Sequence, residues 1–290
     1  MKVIIKMKPT GQQTHEGFIG GKMKSQLQAA LILPVLVRQA QAKRGLTYKE
    51  LADELGLFHR LGRQLGYIGG EIEKLSAKWG SKIPPIQCLV VNQVTRQPGN
   101  GVAWFVGKDE FLGYSKEKQK LIMAGVREEI FNYSNWINVL KECKLTPLSM
   151  SFPQSFIAPR QQYGRGGIES PQHKRLKEYV SQNPQLFGLP RGTKATIEFL
   201  LKSGDEIDVL FKTDSLWVGV EVKSELSSDD DIERGIFQCV KYEAVLNAMH
   251  LITSKPIKTR IYLVLQTDLP PQHISYKNAL GINVVKIHIK

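Results

Sequence analysis

The sequence predicts two domains: a mainly α-helical domain in residues 1–145 and an α/β domain in residues 169–290. A chain of 290 residues exceeds the usual length of a single domain. Residues 146–168 between them are rich in Pro, Gly and Ser, as linkers often are. The charge also changes there: residues 1–168 contain 24 basic and 12 acidic side chains, a net +12, whereas the remainder contains 16 and 15, a net +1.

The N-terminal domain opens with helical patterns. Apolar residues recur at helical spacing over 23–44, where Pro34 predicts a kink. A short helix follows, because Thr47 and Glu50 have the spacing of a capping box and Gly56 is a typical helix stop. Helical spacing then resumes in two further segments, 60–78 and 110–145.

A β-hairpin is predicted after the helix at 60–78, with strands at 86–94 and 102–105. A short helix, a turn, a longer basic helix and a hairpin together predict a winged-helix-like domain. Its net positive charge favours a polyanionic partner, nucleic acid first. The residues predicted to contact nucleic acid are Arg60, Arg63, Lys74, Lys78 and Arg96. The alternative for these side chains is a solvated basic face without a partner.

Residues 46–105 also resemble the DNA-binding domain of the O6-alkylguanine alkyltransferases. The shared features are Tyr48 with Glu50-Leu51-Ala52, the Pro84-Pro85 entry and the Val90-Val91 strand. That family has a cysteine nucleophile in a Pro-Cys-His-Arg-Val motif, whereas here Gln87 takes the nucleophile position. Cys88 lies one place on with no His beside it, so we expect no alkyl transfer and interpret Cys88 as a small buried apolar residue.

In the second domain, alternating apolar residues predict strands and helical spacing predicts helices. Pro171 after Ser170 suits the first turn of a helix. The predicted elements are, in order, helix 169–183, strands 195–202, 206–212 and 216–223, helix 230–248, strand 259–266, helix 271–279 and strand 283–289. The predicted order is therefore αβββαβαβ.

Two acids and a lysine lie on consecutive predicted strands, Asp208 on one and Glu221 and Lys223 on the next. Alternate residues of a strand share a face, so Glu221 and Lys223 point the same way. Asp208 lies between Ile207 and Val209, and Leu216, Trp217, Val218 and Val220 mark a mostly buried strand, where an unpaired charge is costly. Carboxylates at this place suit a hard cation that polarises water. The alternative is a same-face ion pair between Glu221 and Lys223 on an exposed strand.

This pattern, on adjacent strands of an αβββαβαβ order, resembles the PD-(D/E)XK nuclease superfamily across the whole C-terminal domain. The resemblance implies a restriction-endonuclease-like mixed sheet. It also implies that Asp208 and Glu221 bind a metal ion together with the main-chain carbonyl of Val222, and that Lys223 contacts the attacking water or the phosphate. In this sequence Ile207 precedes Asp208, whereas the superfamily's motif has Pro at that position.

The resemblance implies three further site residues. Members often carry a glutamate on the preceding helix, where Glu169 fits as a metal ligand and Glu178 is a rival; Glu169 is alternatively a helix N-terminal acid. Members also often carry Gln and, four residues later, Tyr on the following helix. Gln238 and Tyr242 match, although a packing pair has the same spacing. We interpret His173 and Lys174, one turn after Glu169, as part of a solvated face, and the alternative is a contact with phosphate.

These observations predict a cytoplasmic, Mg²⁺-dependent deoxyribonuclease in which Mn²⁺ can substitute. No apolar run is long enough to span a membrane, and the three cysteines lie far apart, which fits a reducing cytosol. The resemblance implies a role in prokaryotic restriction or anti-phage defence. The alternatives are a repair or recombination nuclease on branched or ended DNA, and a DNA-binding regulator or ligand sensor with an inert nuclease fold. A homodimer is compatible with each.

Overall fold

The computed structural model describes residues 17–106, 109–148, 170–251 and 257–289. The chain forms two compact units, Met1–Ser151 and Phe152–Lys290. The predicted linker 146–168 lies outside the described residues from position 149 onward, and so does Glu169. Within the described ranges, no helix is both long and apolar enough to cross a membrane.

The N-terminal unit is mainly helical. Its elements are α1 (Lys24–Gln41), β1 (Leu46–Thr47), α2 (Tyr48–Leu55), α3 (Gly62–Trp79), β2 (Val90–Val91), α4 (Ala103–Val106), α5 (Asp109–Gly113), α6 (Lys116–Asn132) and α7 (Trp136–Glu142). Helices α1 and α3 pack against each other in an apolar core to which α6 and α7 also contribute side chains. The strands β1 and β2 form a two-residue parallel bridge.

The predicted capping box at the start of α2 is present. The backbone N–H of Glu50 donates to Thr47 Oγ1 at 3.1 Å, and the N–H of Thr47 donates to Glu50 Oε2 at 2.8 Å. Gly56 ends the helix with φ of 62°, a left-handed conformation that glycine adopts without steric cost. Pro34 lies inside α1, as the helix predicted over 23–44 requires.

The predicted hairpin of the wing is wrong. Residues Ile86–Leu89 form a 3₁₀ turn, Val90–Val91 pair in parallel with β1, and the second predicted strand is helical as α4. Asn92 closes the turn that follows β2, because its Oδ1 accepts from the backbone N–H of Val94 at 2.9 Å. A short apolar run does not distinguish a strand from a buried helical turn, and here packing decides: the Phe105 ring lies against Gly69 of α3.

The single helix expected over 110–145 is divided into three. Ser115 begins α6, with its hydroxyl accepting from the backbone N–H of Lys118 at 3.3 Å. Asn135 precedes α7. The division lets Trp136 turn into the core, where its indole N–H donates to the carbonyl of Ile130 at 2.9 Å.

The C-terminal unit contains a five-stranded mixed sheet with helices, in the predicted order. Its elements are α8 (Pro171–Gln182), β3 (Ala195–Leu200), β4 (Glu206–Lys212), β5 (Leu216–Lys223), α9 (Asp229–Leu251), β6 (Lys258–Leu265), α10 (Ile274–Leu280) and β7 (Asn283–Lys286). The sheet order is β3-β4-β5-β6-β7; β3, β4 and β5 are antiparallel, and β5, β6 and β7 are parallel. The unit is therefore α/β, as expected.

Both faces of this sheet are covered by apolar side chains. One core lies between the sheet and α8, to which Leu176 and Val180 belong. The other lies between the sheet and α9, to which Ile232 and Ile236 belong. Because both faces are covered, a charged side chain on a central strand needs a partner or an opening to solvent.

Candidate active site

The carboxylate of Asp208 is anchored to the neighbouring strand. The antiparallel pairing of β4 with β5 places Val209 opposite Val220, so Asp208 and Glu221 are the next positions along. Asp208 Oδ2 accepts a hydrogen bond from the backbone N–H of Val222 at 2.8 Å. This bond holds one carboxylate oxygen against β5, and the other oxygen, Oδ1, lies 3.6 Å from His173 Nε2.

Glu221 is almost completely buried, with 3% of the residue exposed. Its Oε1 accepts from Lys223 Nζ at 2.8 Å, and its Oε2 lies 3.2 Å from the Tyr242 hydroxyl. Burial, followed by repulsion from Asp208, raises the pKa of Glu221 from 4.5 to about 7 against the opposing effects of Lys223 and Tyr242. Because the ionised form of Glu221 is destabilised in this way, a cation that approaches the carboxylate is attracted to it.

Lys223 is held as an ammonium group between two elements. Burial, the largest single cause, lowers the pKa of Lys223, but the hydrogen bond and attraction to Glu221, together with attraction to Asp208 and Asp231, outweigh it and the net shift of that pKa is upward. Its Nζ also lies 3.4 Å from the side-chain oxygen of Gln238 on α9. The predicted same-face arrangement of Glu221 and Lys223 is therefore present, and the pair is buried rather than exposed.

The structure brings Gln238 and Tyr242 to the same group of side chains. The Tyr242 hydroxyl donates to the backbone carbonyl of Glu206 at 2.6 Å, and Gln238 Nε2 lies 3.4 Å from that hydroxyl. A continuous series of hydrogen bonds thus joins Lys223, Gln238, Tyr242 and Glu221. The two α9 residues orient the acid and the lysine in addition to packing against the sheet.

The side chains of β4 change faces at Asp208. Val209 and Phe211 pack in the core beside α8, as the alternation of a strand requires. Ile207 should follow them but packs in the core beside α9. The strand therefore turns over at Asp208, and the regular alternation assumed from the sequence does not hold there.

The partner position on β3 is equally irregular. Glu198 lies opposite Asp208 in the antiparallel register and has φ of 56°, a left-handed conformation that a non-glycine residue adopts at a cost of about 1 kcal/mol or more. Local irregularities of paired strands re-aim side chains near active sites. Here Asp208 faces His173 of α8, whereas Glu221 faces Tyr242 of α9.

A cavity of about 530 Å³ opens beside Asp208 and Lys223. Its lining residues are Ser170, His173, Lys177, Glu198, Glu206, Asp208, Lys223, Ser224, Leu226, Ser227 and Asp231. Glu221 lies behind Lys223 and is not part of the lining. Asp208 and Lys223 are thus the predicted site residues that a ligand in the cavity meets directly.

Sequence reasoning did not assign His173, Lys177 or Glu198 to the candidate site. His173 was expected on a solvated face but is in the cavity wall. Lys177 lies one turn further along the same face of α8, so its spacing from His173 was an available signal. For Glu198 the sequence carried no signal, because its place depends on the left-handed backbone in β3.

The oxygen donors at the site fit a hard cation. Asp208 lines the cavity and its Oδ1 lies 3.6 Å from His173 Nε2, Glu221 behind Lys223 supplies a second carboxylate, and the Val222 carbonyl lies on the strand between Glu221 and Lys223. In the part of the chain that the structure describes, no three His, Cys, Asp or Glu side chains converge as a ready metal cluster. A set of two carboxylates and one carbonyl does not require such a cluster, and Glu169 lies outside the described residues.

The basic candidates of the N-terminal unit are surface residues. The exposed side chains are Arg60 just before α3, Arg63 in its first turn, Lys74 and Lys78 further along it, and Arg96 in the turn after β2. Lys78 Nζ forms an ion pair with Glu142 Oε2 at 2.6 Å. Arg96 has φ of 53° in the turn that replaces the predicted wing. Cys88 is fully buried, and burial raises the pKa of its thiol, as expected for an apolar role.

Comparison of the chain with protein-family models, with curated proteins and with solved structures found no match.

Proposed function

We propose that the protein is a metal-dependent nuclease that hydrolyses phosphodiester bonds of DNA. The observation that carries the proposal is the arrangement of Asp208 and Lys223 on one cavity, with the buried Glu221 directly behind the lysine. Acids whose pKa is raised by burial and by a neighbouring acid, beside a lysine in a cleft, are characteristic of functional sites. If Glu221 and Lys223 were an ion pair with a structural role alone, neither the cavity nor the second acid, Asp208, would be needed.

Asp208, Glu221 and the Val222 carbonyl would hold Mg²⁺ or Mn²⁺, with Glu169 as a further candidate ligand. When bound, the ion supplies Lewis-acid polarisation of the phosphate and of the attacking water. The chain itself contributes orientation and charge. The Val222 N–H fixes one oxygen of Asp208, and the other lies 3.6 Å from His173 Nε2 of the cavity wall.

Lys223 supplies the positive charge that meets the phosphate or the attacking water. Its ammonium is held by Glu221 at 2.8 Å and by Gln238 at 3.4 Å, so it needs little reorganisation when the substrate binds. Tyr242 keeps Glu221 in place through the hydroxyl 3.2 Å from Oε2. Because a hydroxyl has one proton, Tyr242 donates either to Glu221 or to the carbonyl of Glu206 at any moment.

The N-terminal unit would hold the DNA, since most of the net charge of +13 belongs to residues 1–168. A setting in restriction or anti-phage defence, rather than in repair or recombination, rests on the resemblance to the PD-(D/E)XK superfamily alone. The complete Asp208, Glu221 and Lys223 set supports an active nuclease over an inert fold in a regulator or ligand sensor.

Cleavage of supercoiled and linear DNA, with RNA in parallel, tests the proposal. The full chain is assayed with Mg²⁺, with Mn²⁺ and with EDTA. Cleavage should require metal, and alanine at Asp208, Glu221 or Lys223 should abolish it without changing the circular dichroism spectrum. Asp205→Ala is the matched control, because Asp205 precedes β4 and pairs with Lys241 outside the cavity. Full activity of Asp208→Ala would refute the assignment.

A further inference from the structure

We propose that Lys177 binds a backbone phosphate of the nucleic acid next to the one that is cut. We further assign Glu198 as a positioning residue that holds the Lys177 ammonium at the cavity wall in the free protein. This inference rests on the proposed nuclease function, because it names a second contact with the same substrate.

Lys177 is a buried lysine that faces the cavity. The residue is 5% exposed, and it shares one face of α8 with Ser170 and His173, which also line the cavity. Its Nζ forms an ion pair with Glu198 of β3. Burying an ammonium group is costly, and a well-packed apolar side chain is often at least as stable as a buried ion pair. A lysine at this position therefore points to a role in binding.

Glu198, the ion-pair partner of Lys177, has an unfavourable backbone conformation. Its φ of 56° is left-handed, its side chain reaches Lys177 of α8, and its carboxylate is half exposed. Residues held in such conformations cluster at active sites and ligand clamps. Two costly features, a strained backbone and a buried charge, thus meet at one contact on the wall of the cavity that contains Asp208.

A polynucleotide phosphate is the ligand that fits. The lining carries the acids Glu198, Glu206, Asp208 and Asp231, so an incoming phosphate needs cationic partners in addition to any metal. A phosphate could take the place of the Glu198 carboxylate, which would move into solvent. Because one anion replaces another, the Lys177 ammonium stays paired throughout.

The sheet order separates Glu198, the ion-pair partner of Lys177, from Lys223. Lys223 is on β5 and Glu198 is on β3, with β4 between them. Two strand spacings amount to about 10 Å across the sheet. The two lysines therefore serve different positions along a nucleic acid, with Lys223 at the phosphate that is cut and Lys177 at a neighbouring one.

The test is equilibrium binding of a short labelled DNA duplex by the full chain carrying Asp208→Asn, in Mg²⁺, at several salt concentrations. Adding Lys177→Met should weaken binding about tenfold and reduce the slope of log Kd against log salt by about one, the effect of losing one phosphate contact. Lys177→Arg should retain most of the affinity. Lys194→Met is the matched control: it removes the same charge from an exposed position before β3, outside the cavity, and should change affinity by less than about twofold.

A double variant separates binding from folding. Lys177→Met with Glu198→Gln replaces the ion pair by neutral groups, so its melting temperature should equal or exceed that of the parent. Its affinity for DNA should stay as low as that of Lys177→Met. If the double variant recovers the parent's affinity and salt slope, Lys177 does not contact phosphate and the proposal is overturned.

The two proposals fail in different ways. If the wild-type chain cuts nucleic acid but Lys177→Met keeps the parent's affinity and slope, the subsite is wrong and the nuclease stands. If the wild-type chain cuts nothing but Lys177→Met lowers affinity and slope, the nuclease proposal fails and the phosphate contact is supported.

Discussion

Replacing Asp208 by Asn removes one of two neighbouring negative charges at nearly constant shape. The asparagine oxygen can still accept the hydrogen bond that Val222 N–H donates at 2.8 Å, so the strand pairing is retained. We expect the variant to lose cleavage but to unfold at higher temperature than the wild type in EDTA. The reason is that Glu221, enclosed behind Lys223, is no longer repelled by the negative charge of a second carboxylate.

The size of the effect follows from Glu221. Its pKa is raised from 4.5 to about 7, and each pKa unit corresponds to about 1.4 kcal/mol. Ionising Glu221 in the folded protein therefore costs about 3 kcal/mol more than ionising it in the unfolded chain. Burial is the largest cause and Asp208 the second. The attraction between Asp208 and Lys223 is lost in the variant as well. A net gain of about 1 kcal/mol is therefore the expected result.

The gain should depend on pH in a definite direction. The folded-state pKa of Glu221 lies above its value in the unfolded chain, so the folded protein binds a proton that the unfolded chain has released. The contribution of Glu221 to stability is therefore fully present below about pH 4.5 and is lost as the pH rises to about 7, the range between the two values. The advantage of the variant should accordingly be larger at about pH 8 than at about pH 5.

Thermal melts of both proteins at these two pH values, with EDTA and with Mg²⁺, measure this. Asp214→Asn is the matched control, since Asp214 is exposed in the turn between β4 and β5 and should leave the melting temperature unchanged. Metal should raise the melting temperature of the wild type more than that of Asp208→Asn, because a ligand stabilises the state that binds it. Equal shifts, or no gain at high pH, would refute the reasoning.

Three further outcomes are expected. Tyr242→Phe removes a hydrogen bond that lowers the pKa of Glu221, so the acid limb of the pH–rate profile should move to higher pH, with a loss of about 1 kcal/mol in stability; an unmoved limb would contradict the role of the hydroxyl. The isolated fragment 169–290, of net charge +1, should bind DNA with a smaller salt slope than the full chain, and equal slopes would refute the division of labour. The double variant Arg60→Ala, Arg63→Ala should bind DNA more weakly at fixed salt; unchanged affinity and sequence preference would favour a solvated basic face.

Local sequence signals determined much of the C-terminal unit. The strands β4 and β5 were predicted to the residue, because an apolar run ends on each side of the exposed turn at Asp214 and Ser215. The capping box of Thr47 and the left-handed stop at Gly56 were equally local. In each case the interaction that ends the element lies within a few residues of it.

In the N-terminal unit, local sequence signals did not predict the secondary structure of two segments. Residues 86–94 and 102–105 contain β-favouring apolar side chains, yet within them only the bridge at Val90–Val91 is a strand; the rest form 3₁₀ and α-helical turns and the turn closed by Asn92. The difference arises because Phe105 packs against Gly69 of α3, a contact between positions that are distant in sequence. Strand propensity is largely a measure of such packing and is therefore decided by the fold.

At the candidate site, the sequence predicted the two acids and the lysine from their place on adjacent strands, and the Gln and Tyr of α9 from the resemblance to the PD-(D/E)XK superfamily; the structure brings these side chains together. Only the tertiary structure decided that Asp208 faces α8 and that Lys177 and His173 share its cavity. Alternation fails where β4 turns over opposite Glu198. The left-handed Glu198 of β3 forms an ion pair with Lys177 of α8. Because the two residues come from different elements, no local sequence pattern predicts this backbone conformation.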